Sequence, residues 1–153
     1  MTDVAHAPMS RAASAMQETS WISFDYAVLR AVPHVHLGTF VPVGVIVHAR
    51  TADFLAMRVL SDRNTLSRCL PDVDTDLLLR YLDAHVAVTM GDASAGPVAL
   101  DPTSERFHWL TAPRSDILQT SPVHGGICRD PAEALERLYA MHVAREEGPG
   151  TRD

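Results

Sequence analysis

ISFDYAVLRAV, residues 22–32, sets Ile22, Phe24, Tyr26, Val28 and Val32 on one face at alternate positions. That period is the signature of a half-buried strand, and Pro33 closes it. Arg30 falls on the same oily face. A turn over residues 34–38 leads to TFVPVGVIVHA, residues 39–49, which is apolar on both faces, as in a sheet covered on both sides. Pro42 and Gly44 predict an irregular or bulged start. DFLAMRVL, residues 53–60, reads as a third strand that turns back through Arg50-Thr51-Ala52. The three together predict an antiparallel meander.

Downstream the period changes. Asn64 is placed to cap a short helix over residues 65–70, stopped by Pro71. Asp74 or Thr75 caps a longer one with Leu78, Tyr81, Leu82, His85 and Val86 along a stripe. GDASAG, residues 91–96, reads as a loop. Residues 107–111 and 115–121 look strand-like, and His124-Gly125-Gly126 reads as a loop. The last helix has the clearest start signal: Asp130 caps, Pro131 takes the first helical position, and Glu133 completes a capping box. Leu135, Leu138, Tyr139 and His142 form its apolar stripe.

These elements predict a single α+β domain over residues 21–145. Its antiparallel sheet has about four to five strands, with the middle and C-terminal helices packed on one face. Residues 1–20 are rich in Ala, Ser and Met and read as a disordered leader. They lack the continuous apolar core of a secretory signal. Residues 146–153, EEGPGTRD, read as a disordered tail, since Gly-Pro-Gly ends any helix.

The chain has 153 residues, 46% hydrophobic and 21% charged, enough to bury a core without a disulfide or a metal. No run approaches the ~20 apolar residues of a membrane span. Nineteen acids against thirteen bases leave a formal charge of −6, which disfavours a nucleic-acid partner. The basic residues are all Arg, so Schiff-base chemistry and a phosphate-loop lysine are excluded. Cys69 and Cys128 are the only cysteines; reduced thiols in a cytoplasmic protein are the expectation for so few.

Three stretches together resemble the bacterial DUF3037 family: FDYAVLR with Val32-Pro33 (residues 24–33), GTFVPVGV (38–45), and RFHWLTAPRS continuing into QTSPVH (106–124). The resemblance extends over about residues 24–143, by the boundary uncertainty of such a match. It implies no established activity and no cofactor. It implies a partner, because members of the family are encoded beside HipA-like kinases; a homo-oligomer is a further option.

Chemistry-bearing residues are few. A guanidinium on an apolar strand face must be paired or open to a cleft, so Arg30 is either a structural ion pair or a clamp for phosphate or carboxylate. Arg114 and Ser115, at an element end, are a second ligand-binding pair, with a solvated turn as the alternative. Ser121 and His124 offer a hydroxyl and an imidazole in a small-residue loop, with His124 the candidate acid or base. No G-x-S-x-G elbow supports a nucleophilic serine. His34 and His36, with His124 or Cys128, could face a metal, but the short Cys/His spacing of a structural zinc site is missing and none is expected. Cys128 beside Arg129 and a helix start is either a lowered-pKa thiol or a small buried residue. Two functions compete: an accessory module acting through a partner protein, and a small enzyme or binding protein for an anionic metabolite using Arg30, Arg114 and His124.

Overall fold

The structure is a computed structural model describing residues 20–34, 37–114 and 116–144. Apart from Ser20, the expected leader and tail lie outside the described residues. Strands β1 (Ile22–Ala31), β2 (Val41–Ala49) and β3 (Phe54–Val59) form the expected meander. Helices α1 (Arg63–Cys69), α2 (Thr75–Thr89) and α3 (Thr103–Leu110) follow, then β4 (Leu118–Thr120), β5 (His124–Cys128) and α4 (Pro131–His142). The fold is α+β with a five-stranded antiparallel sheet in which β1 is central: β2 lies on one side of it, β4 and β5 on the other.

Two bulges shape that sheet. Leu29 pairs with Gly44 but Arg30 pairs with Pro42, so Val43 is the extra residue on β2. Pro42 has no N–H to offer, and Gly44 is needed for another reason: a Cβ there would lie 2.9 Å from the Arg58 carbonyl oxygen. On the other edge Leu29 pairs with Thr120 and Tyr26 with His124. The segment between β4 and β5 thus carries one residue more than β1, and it contains Pro122.

Directly paired residues share a face, and faces alternate along a strand. Tyr26, Val47 and Ala56 therefore share one face with Val28, Val45 and Arg58. On it the α4 rings pack: Tyr139 under the Arg58 guanidinium at 4.3 Å, and His142 against Tyr26 at 6.1 Å. Ala27, Ile46 and Met57 share the other face with His48. There Phe107 of α3 stacks on His48 at 5.1 Å, and the Thr89 hydroxyl of α2 reaches the Met57 sulfur at 4.0 Å. The helices are therefore divided between the two faces rather than gathered on one. The doubly apolar β2 is the reason, because Val45, Ile46 and Val47 are all fully buried and each face needs its own cover.

Three local expectations are corrected. Residues 107–110 belong to helix α3, with Thr111 its C-cap, and not to a strand. Arg106 anchors that helix by donating to the Asp101, Val88 and Thr89 carbonyls at 2.8, 3.1 and 2.7 Å, tying it to the C-terminal end of α2. The His124-Gly125-Gly126 loop is the start of β5. Phe24 lies across Gly126 so closely that a Cβ there would meet its ring at 2.7 Å, and the aromatic ring takes the place of the missing side chain. Helix α1 is capped by Asp62, whose carboxylate accepts from the Thr65 N–H at 2.9 Å, rather than by Asn64. Asp74 and Asp130 cap α2 and α4 as expected. No helix among the described residues is long and apolar enough to cross a membrane.

Candidate functional site

Arg30 has the same parity on β1 as Tyr26 and Val28, and so lies on the α4 face, beyond the end of that helix. Its guanidinium carbon sits 4.1 Å over the Phe40 ring. Its Nε is buried with no hydrogen-bond partner. Gln119 lies opposite it on β4, but the Gln119 amide donates to the Asp116 carbonyl at 2.9 Å. No salt bridge holds Arg30 among the described residues.

Arg114 has a different occupation. It donates to the Trp109 and Leu110 carbonyls at 2.8 and 3.3 Å and stacks over the Trp109 ring at 4.6 Å. A cation satisfying the last carbonyls of a helix is a C-terminal cap, favoured by the helix dipole. Helix α3 covers the face of the sheet opposite Arg30, so the two guanidinium groups do not converge. Ser115 lies outside the described residues.

Ser121 is only 4% exposed, and both functions of its hydroxyl are in use. The oxygen accepts from the Val28 N–H at 2.9 Å, and the hydroxyl donates to the Pro122 carbonyl at 2.9 Å. His124 is exposed and packs on Tyr26 with ring centroids 5.4 Å apart. It shares the Arg30 face, but Tyr26, its direct partner, is four residues from Arg30, about 13 Å along a strand. Arg114 and Ser121 line one cavity of about 280 Å³ with Gln119 and Thr120, but Arg30 and His124 are not part of it, so the four do not assemble as one catalytic or ligand-binding constellation.

The remaining candidates divide in the same way. His34 lies 3.6 Å from the Asp72 carboxylate, and His36 is outside the described residues. No group of three metal-ligating side chains occurs among the described residues. Cys128 is 3% exposed, and burial pushes its thiol pKa up despite Arg137 nearby, the opposite of an activated thiol.

A site that the sequence did not advertise lies on the outer side of α2. Tyr81, Ala84, Ala87 and Val88 of α2, Ala95 of the following turn and Trp109 of α3 line a mostly apolar groove of about 390 Å³. Trp109 forms its rim at 43% exposure, fixed from behind by the Arg114 cap. His85 completes the wall; its Nδ1–H donates to the Tyr81 carbonyl at 2.9 Å, and its ring tilts toward Trp109. Burial lowers the His85 pKa, which favours the neutral ring. Met90 and Leu100 are also widely exposed beyond α2. The α2 stripe already carried Tyr81 and His85, but nothing in the sequence placed Trp109 beside them. The helical spacing that puts the Phe107 ring in the core and the Trp109 ring on the rim was hidden by the β propensity of the segment.

A family model described as "Protein of unknown function (DUF3037)" matches residues 26–143. No curated protein and no solved structure matches the chain.

Proposed function

The chain belongs to the DUF3037 family, and on that footing we propose that it is an accessory module that acts in the bacterial cytoplasm by binding a partner protein. The observation that carries this reading is the groove along α2. It is mostly apolar and rimmed by an exposed tryptophan, on whose ring the Arg114 guanidinium stacks. Such a groove suits the apolar face of an amphipathic helix. The HipA-like kinase implied by the family resemblance is the first partner to test. The dispersal of Arg30, Arg114, Ser121 and His124 favours docking over catalysis.

Co-purification of the chain with a HipA-like kinase from the same genome tests this. Trp109→Ala removes the rim without touching a fully buried position, so its melting should stay near the parent. Affinity for the kinase should fall about thirtyfold, the ~2 kcal/mol typical of an interface tryptophan. A kinase that ignores the parent chain, or binds the variant equally, overturns the proposal.

A second reading survives on one observation, the unpartnered Nε of Arg30. A guanidinium held against Phe40 with spare donors is a receptor for a small anion such as phosphate. Inorganic phosphate should then raise the melting temperature of the parent and of Arg30→Lys, but not of Arg30→Met. The reading fails if phosphate stabilises all three alike or none.

A further inference from the structure

The outer edge of β5 is a sheet edge without the usual protection. Natural edges are blunted by charge, proline or a covering element. His124-Gly125-Gly126-Ile127-Cys128 contains no charged residue and no proline, and among the described residues β1 is the one strand it pairs with. Its side chains alternate sharply. Cys128 is buried under α4, whereas Ile127 is 62% exposed on the opposite face. Trp21, at the start of β1, is 57% exposed beside this edge, and Val123 is 46% exposed at the other end of the strand.

We propose that two copies of this chain join β5 to β5, antiparallel, about a two-fold axis through Gly126, extending each sheet across the pair. The symmetry limits the choices. A two-fold axis perpendicular to a sheet keeps each face on its own side, so only residues of equal parity can lie opposite one another. Centring the axis on Gly126 pairs every residue of β5. It sets His124 against Cys128 of the second copy and Ile127 against Gly125 of the second copy.

That register is complementary in shape. Ile127 projects from its strand where Gly125 of the second copy has no side chain. Gly125 itself is under no internal pressure to be glycine, since a Cβ there would make only ordinary contact with the Asp25 carboxylate at 3.6 Å. The register is also complementary in charge. Asp25 pairs with Gly125 across β1 and β5, and its carboxylate leans over that glycine toward the open edge. Arg129 is on the same face, next outward from Ile127, and diagonal to Gly125 of the second copy. Long side chains reach across that diagonal. Asp25 and Arg129 are both exposed; the Arg129 guanidinium stacks over the Trp21 ring at 4.7 Å, and neither residue has an ion-pair partner among the described residues. Across the axis each finds the other, twice. The interface uses none of the groove residues on α2 and α3, so it stands or falls separately from partner docking.

Sedimentation of the full chain over a micromolar concentration series tests the pairing. The parent should dimerise, as a small interface of the weaker class does. Ile127→Lys should give a monomer with unchanged melting of the monomer fold. Asp25→Arg and Arg129→Asp should each weaken the dimer at least tenfold, and the two together should restore it. Restoration is the outcome that loss of folding cannot imitate. A parent that stays monomeric overturns the proposal. So does a dimer indifferent to Ile127→Lys, or one that the combined charge swap fails to rescue.

Discussion

The Val28 N–H finds its acceptor in the Ser121 side-chain oxygen, 2.9 Å away, while the Ser121 N–H donates back to the Val28 carbonyl at 2.8 Å. At this point the strand bulges and Pro122 cannot take part in the ladder, so the hydroxyl substitutes for a backbone acceptor. A buried donor stripped of its partner costs about 1–3 kcal/mol. Ser121→Ala should therefore lower the unfolding free energy by that amount in urea titration, without a change in the denaturant slope. A variant as stable as the parent would show that another group accepts from Val28. Residue types alone did not reveal this role, because a serine followed by proline and histidine reads equally as a loop nucleophile. Arg114 misled for a related reason: its partners are the carbonyls of a helix whose existence the sequence did not disclose. Arg30 was legible as an anomaly, since an arginine at the parity of Phe24, Tyr26 and Val28 breaks the pattern wherever the strand is placed.

Elements with a strong period were legible, and those shaped by neighbours were not. Strands β1 to β3 lie within two residues of expectation, and α4 begins where Asp130 and Pro131 place it. Each is specified by its own alternation or its own cap, which contact with the rest of the chain reinforces. Strand β5 is different. Two glycines weaken any strand, and here the loss is made good by Phe24, 102 residues away in sequence but directly across the ladder from Gly126. Helix α3 is different too. Its aromatic run favours a strand, and three hydrogen bonds from Arg106 to preceding carbonyls hold it helical instead. The groove needs α2 and α3 to lie side by side, so it could not be read before α3 was known to be a helix.

Two histidines couple the whole molecule to pH through the helical layer that forms the groove. His48 is 6% exposed on β2, stacked on Phe107, with the Ser104 hydroxyl 3.3 Å from its Nε2. His85 stands on α2 against Trp109. Burial is the leading cause that lowers both pKa values below the ordinary 6.5, against partial opposition from Asp25 at His48 and from the Tyr81 carbonyl at His85. The unfolded chain thus takes up these protons first as pH falls. Below about pH 6.5 it binds more protons than the native state, so stability declines with falling pH until the native rings protonate as well. Above that range both rings are neutral in either state, and their contribution is flat. The limit is about 1.4 kcal/mol per pH unit for each ring. Urea midpoints measured from neutral pH down to about pH 5, above the carboxylate range, should fall accordingly. His48→Gln and His85→Gln should each flatten the decline, because a neutral amide has no proton to gain. Since His48 ties α3 to the sheet and His85 joins α2 to α3, Trp109 fluorescence should report the same loss, while a probe on the α4 face should follow only at global unfolding. A midpoint independent of pH across this window, or an unchanged slope in the double variant, would separate these histidines from the stability of the layer.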